Sequence, residues 1–151
     1  MTTQAQFDFL RKALNCAELA GHIWPEYAAC EAALESSWGA SRLCKEANNL
    51  FGEHQHKQPV WETYNLHPND NVDFNTAWVK FPNWIESFRS RMQTLERLAP
   101  KDGFEHYANA LKAQDGEVFV REVSAKWAQD QARAEHVLQI HRAHFKDGVI
   151  V

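Results

Sequence analysis

The stretch Glu31–Gly52, EAALESSWGASRLCKEANNLFG, decides how the rest of the chain is read. Its first half keeps helix period. Glu31, Glu35 and Trp38 fall three and four residues apart and share one side of a helix, while Leu34, beside Glu35, belongs to a face that must be buried. Glu35 therefore borders the core. A carboxyl held beside Trp38 and Leu34, one turn from Glu31, has two reasons to keep its proton: loss of water and a like charge. A general acid working at neutral pH needs that condition. The ordinary alternative is a pair of glutamates edging a solvated helix, and period alone does not separate the two.

Outward from this stretch the chain is mostly helical. Upstream, Phe7, Leu10, Leu14 and Ala17 keep the spacing of one buried stripe, with Thr3 and Gln6 as a capping box. Pro25 suits the first turn of a second helix that carries Tyr27, Cys30 and Leu34 on one face and stops at Gly39, and Ser41 caps a short third helix, Arg42 to Ala47. The rhythm then changes. Val60–Leu66 (VWETYNL) and Phe74–Phe81 (FNTAWVKF) are aromatic and β-branched, and the turn formers of His67–Asp73 separate them, which predicts a β-hairpin. Helix period returns at Asn83, with Ile85, Phe88, Met92 and Leu95 as the stripe and Glu86 as capping partner. Shorter helices are expected over Phe104–Ala113, Glu117–Trp127 and Asp130–Ala143. No linker interrupts the series, so one domain over 1–151 is expected.

Composition narrows the function. The 16 Lys and Arg against 20 Asp and Glu, scattered without a basic patch, argue against nucleic acid as a partner. No apolar run approaches the ~18 residues of a membrane span, and the N-terminal stretch lacks the apolar core of a secretory signal. Synthesis in the cytoplasm without a signal peptide is the expectation. Three cysteines, Cys16, Cys30 and Cys44, are too few for a disulfide scaffold and read as buried free thiols. His54 and His56, near Cys44 and Glu53, hint at a metal, but no CxxC, HExxH or HxxxH pattern supplies the second ligand pair, so none is expected. No GxSxG or Cys/His signature marks a nucleophile either.

ALESSWGASRL followed by NNLFG resembles the glucosaminidase domain family of flagellar muramidase-type enzymes and autolysins, whose members read ALESGWG-x-S-x-L and then NN-(L/Y)-(F/W)-G. Downstream, KFPNWIESFRSRM resembles the family's next helix entry. KWAQDQARAEHVLQIHR (Lys126–Arg142) resembles its closing Y-A-T-D-P motif, with Trp127 in place of tyrosine and Asp130 kept. The landmarks run from about Pro25 to Arg142. The resemblance implies an α+β, lysozyme-like fold, mostly helical, with a small hairpin lobe flanking an active-site cleft. It also implies hydrolysis of the β-1,4 link after N-acetylglucosamine in peptidoglycan glycan strands, with Glu35 as the catalytic acid and no cofactor. Action on the cell wall after phage lysis or export, as a monomer without membrane insertion, is the matching expectation.

Glycoside hydrolysis usually takes a second carboxylate, which family members carry in the hairpin lobe. Asp70 takes the place of the family glutamate, although Asp is shorter by about one CH₂ unit. Glu62 has the better strand context, and Asp73 ranks third. Turn or strand-edge solvation is the ordinary alternative for all three, and assistance by the substrate's N-acetyl group lessens the need for any of them. Asn49 and Phe51, with Asn48 and Gly52, match the second motif and are expected to shape the cleft. Trp38, Trp61, Tyr64 and Trp127, with Trp78, are candidate sugar platforms, whereas Trp24 and Trp84 are expected in the core. Two rival functions stand beside this one: a lytic transglycosylase or muramidase, which manages with one Glu, and a non-catalytic wall-binding module.

Overall fold

Seven helices and two small hairpins make up the described residues, 1–66 and 77–151, of the computed structural model. In chain order these are α1 (Gln4–Leu19), α2 (Pro25–Glu35), α3 (Arg42–Ala47), β1 (Glu62–Asn65), β2 (Ala77–Lys80), α4 (Trp84–Leu98), α5 (Glu105–Leu111), α6 (Gly116–Trp127), α7 (Arg133–His144), β3 (Phe145–Lys146) and β4 (Val149–Ile150). The helix starts follow cap chemistry. Thr3 and Gln6 form the reciprocal capping box of α1, and the side chains of Ser41, Asn83 and Asp115 each accept from a backbone N–H in the first turns of α3, α4 and α6.

At the centre lies α2, packed by α1, α6 and α7. Ala28, Ala29, Cys30, Glu31, Ala32 and Ala33 are all buried, so the helix is enclosed nearly all round rather than along the Tyr27–Cys30–Leu34 face expected. Its alanines let neighbouring helices approach closely. The same closeness shifts the buried stripe of α1 to Phe9, Leu10, Ala13 and Ala17, leaving Phe7 and Leu14 half-buried. In α4 the core positions are Phe88, Met92 and Leu95, joined by Ser87 and a fully buried Arg91, with Ile85 at the rim.

Beside this helical body, β1 and β2 pair antiparallel, Glu62 opposite Lys80 and Asn65 opposite Ala77. An isolated bridge between His54 and Trp78 ties the segment after α3 to the same lobe. Helix boundaries differ from expectation chiefly at three helices: α2 stops at Glu35, α5 is shorter at both ends, and α7 starts at Arg133, the Asp130 side chain accepting from Ala132 N (2.9 Å) in the turn before it. The β3–β4 hairpin was not foreseen. Its turn, Asp147-Gly148, has positive φ at both residues (51° and 80°), the combination that two-residue hairpin loops favour. Among the described residues no helix is long and apolar enough to cross a membrane.

Candidate active site

Helix α2 ends at Glu35 because the next residues turn sharply. Ser37, Trp38 and Gly39 all have positive φ (51°, 57° and 81°). The Ser36 hydroxyl pins the turn, donating to Ala32 O (2.6 Å) and accepting from Gly39 N (2.9 Å). Gly39 is required twice over: its φ is left-handed, and a Cβ there would lie 3.3 Å from the Phe9 ring. Glu35 is thereby left at the helix end with its side chain about 25% exposed. It opens into a cleft of about 510 Å³ that Phe51, Glu53, His54, Trp78, Arg97 and Trp127 also line.

Under this cleft runs a buried ionic network. Glu31, fully buried, accepts through Oε2 from Arg91 (2.6 Å) and from Arg133 (2.8 Å). Arg133, itself 1% exposed, also donates from Nη1 to Ser124 Oγ (2.8 Å) and from Nε to Oε1 of Glu35 (2.7 Å). Burial alone pushes the Glu31 pKa up, but the two guanidinium groups outweigh it and hold it below the ordinary value. Arg133 is likewise strengthened as a cation, its desolvation being outweighed by Glu31 and Glu35. The environment of Glu35 thus differs from the expected one: the charge of Glu31 is taken up by arginines, and a cation rather than a like charge touches Glu35.

Arg91 extends the network to the aromatic side of the cleft. Its guanidinium carbon lies 4.6 Å from the Phe51 ring centroid and 4.5 Å from that of Trp127. Nε and Nη1 have no hydrogen-bond partner among the described residues, and the aromatic faces supply the negative potential that compensates them. Glu35 and the aromatic side of the cleft therefore rest on one set of buried charges.

Of the residues singled out from sequence, the structure gathers Glu35, Phe51 and Trp127 in the cleft, with Trp78, whose ring stacks on His54 at 4.1 Å. It does not bring the others there. Trp38 turns away to pack against Phe9 and His144 (centroids 5.8 and 5.2 Å), so it does not flank Glu35 as expected. Asn49 is 1% exposed and spends its side chain on Glu53 N, Glu53 O and Val79 O (each 2.9 Å), tying the loop to β2. The Tyr64 hydroxyl donates to Glu46, away from the cleft. Trp61 and Glu62 lie on a separate shallow groove with Lys80 and Phe81, and the Glu62 side chain, 80% exposed, faces Lys80 at 3.8 Å. Asp70 and Asp73 fall outside the described residues.

Sequence reasoning missed Arg91, Arg133, Arg97 and Tyr107, and weighed Glu53 only as part of a metal hint. One signal was available: Arg91 occupies a core position, three residues after Phe88 and four before Leu95, and a charge there demands a buried partner. Among the described residues no group of three His, Cys, Asp or Glu is placed to hold a metal ion. A second, larger depression of about 780 Å³ shares Trp127 and Ala128 with the cleft, so an extended chain has a path from one to the other.

Comparison with known proteins agrees with this architecture. Residues 11–145 match the family model for glucosaminidase, described as mannosyl-glycoprotein endo-beta-N-acetylglucosaminidase. A curated relative, an autolysin of Enterococcus faecalis, is 27% identical over 118 residues, 74% of this chain but only 16% of that protein's length. Among solved structures, the catalytic domain of the autolysin Auto from Listeria monocytogenes is similar with TM-score 0.71 and 22% identity, covering 95% of this chain and 86% of that one. The glycoside hydrolase domain of Salmonella typhimurium FlgJ is similar with TM-score 0.73 and 19% identity, covering 93% and 88%. At these identities the two structures speak for the fold.

Proposed function

The chain belongs to the glucosaminidase family, and from that premise we propose that it hydrolyses the β-1,4 bond after N-acetylglucosamine in peptidoglycan. The observation that carries the proposal is the placement of Glu35. It ends the central helix inside an aromatic-lined cleft, with Oε1 engaged by Arg133 Nε at 2.7 Å. In this reading Oε2, the oxygen outside that contact, is the one that meets the substrate.

A glycan strand lies along the cleft with sugar faces against Trp127, Phe51 and Trp78, and continues past Trp127 into the larger depression. Glu35 transfers its proton to the glycosidic oxygen as the bond from the anomeric carbon to that oxygen breaks. Water supplies hydroxide to the anomeric carbon and a proton back to the site. Negative charge develops on Glu35 in that step, and the Arg133 N–H already in place stabilises it without reorganisation. Burial of Arg133 makes this interaction stronger than it would be in water. Of the hairpin acids, Glu62 faces Lys80 and is not among the residues lining the cleft, which favours Asp70 or Asp73, or the substrate's own N-acetyl group, for the second role.

One observation favours a second reading. Among the described residues the carboxylates lining the cleft are Glu35 and Glu53 alone, which also suits the single-acid chemistry of a lytic transglycosylase. Mass analysis of the muropeptides released from purified sacculi separates the two. New reducing-end N-acetylglucosamine supports the proposal, and anhydro-muramic ends overturn it in favour of the transglycosylase.

A further inference from the structure

Residue 53 is fixed from three directions. Asn49 holds its main chain, with Oδ1 accepting from Glu53 N and Nδ2 donating to Glu53 O, and Val79 N of β2 donates to the same carbonyl (3.1 Å). Its side chain reaches α4, where the Ser90 hydroxyl donates to Oε2. Oε1 is buried with no partner among the described residues, and the residue as a whole is 8% exposed. Gly52, His54 and His56 on either side all line the cleft beside Glu35. Gly52 has φ +68°, and a Cβ there would lie 3.8 Å from the Trp78 ring, on which His54 stacks.

We propose that Glu53 is a positioning residue of the cleft: anchored on α4 through Ser90, its neutral side chain holds segment 52–56, and with it the Trp78–His54 stack, in the shape that receives a sugar. The inference rests on the glycan-binding reading of the cleft. Its physical basis is the unpartnered oxygen. A carboxylate with one oxygen buried and unpaired is costly, whereas the protonated acid fits the site. Burial pushes the Glu53 pKa up to about 7, against the opposing pull of the Ser90 hydrogen bond and of Arg91 and Arg97 on α4. Among the described residues, the other titratable groups lining the cleft and the adjoining groove are His54 and His56 within the segment, Glu35 from α2, Glu86 from α4 and Tyr107 from α5. Above neutrality Glu53 gains a charge that its surroundings do not solvate, and segment 52–56 must shift to admit water.

The test measures kcat and KM on soluble glycan strands from pH 5 to 9 for the full chain, Glu53→Gln and Ser90→Ala. In the parent, KM rises above about pH 7 by up to about tenfold per pH unit while kcat changes less. Glu53→Gln, neutral throughout, keeps KM flat over the range. Superimposed KM profiles for parent and Gln variant overturn the proposal. Should Glu53→Gln fold poorly, Ser90→Ala removes a donor that favours the ionised form and moves the KM rise to higher pH; an unmoved midpoint overturns it as well. The unfolding midpoint against pH gives a readout independent of turnover. The parent loses stability relative to Glu53→Gln as pH rises from the ordinary 4.5 to about 7, and then no further. Absence of that difference counts against the proposal. Its presence in a chain that cuts no peptidoglycan at any pH overturns the glycan reading and leaves Glu53 as a proton-holding anchor.

Discussion

In the proposed reaction Glu35 and Arg133 set the chemistry between them, and their pairing explains why a carboxylate at the C-terminal end of a helix is tolerated. Unpaired carbonyls there carry partial negative charge, which the Arg133 guanidinium offsets at 2.7 Å. Arg133 also pairs with the buried Glu31, so its loss leaves Glu31 with Arg91 as its one cation and strips Glu35 of the cation it touches. Arg133→Gln is expected to destabilise the fold by about 3–5 kcal/mol, read as a lower denaturant midpoint. A change below about 1 kcal/mol would mean that the network does not hold α2 and α7 together. Glu35 was legible from its motif and its place at the edge of an apolar face. Its partner was not, because Glu35 and Arg133 are 98 residues apart and no local pattern couples them. The environment expected for the acid, a tryptophan and a like charge, proved to be a cation, because the positive-φ turn carries Trp38 to the other side of the helix end.

Among the elements, the turn after α2 is the one that aims the site. Its geometry depends on Gly39, so Gly39→Ala should cost about 1–2 kcal/mol from the left-handed φ, with further cost if Phe9 cannot yield. Activity should fall along with stability, since the turn determines where Glu35 ends. Thermal unfolding and peptidoglycan clearing of the same preparation check both, and an unchanged melting temperature would refute the strain argument. Helix starts were readable because caps are local: Thr3, Ser41 and Asn83 act on the residues foreseen. Burial was less readable. The alanines of α2 mark a helix enclosed on all sides, not an amphipathic one, and only tertiary packing shows it. The β1–β2 hairpin announced itself in aromatic and β-branched residues, yet its face cannot be read from sequence, and Trp61, Tyr64 and Glu62 are not among the residues that line the cleft. Asp147-Gly148 was a readable hairpin signal that went unused.

At the scale of the whole molecule, two buried titratable groups oppose each other in their effect on stability. His22 is 4% exposed, edge-on to Phe88 and Phe119, and burial, helped by Arg91, lowers its pKa to about 4. The unfolded chain therefore takes up the His22 proton first, and stability is lost as pH falls from 6.5 towards 4. Glu53 acts the other way, its folded form keeping a proton that the unfolded chain has released between 4.5 and about 7. Between pH 4.5 and 6.5 the two slopes cancel. Glu53→Gln should leave the histidine slope exposed, so that stability of the variant rises by about 1.4 kcal/mol per pH unit across that window, measured by denaturant titration at each pH. Equal slopes in parent and variant would contradict the burial argument for Glu53, and a variant whose stability is flat across the window would contradict that for His22. Everything proposed for this molecule as an enzyme nevertheless converges on Glu35. The most direct test is clearing of purified sacculi by Glu35→Gln, a near-isosteric change that keeps an oxygen for Arg133 and removes the acid. The account predicts a rate about 10²–10⁴-fold below the parent in a protein that remains folded; clearing at the parent rate would contradict it.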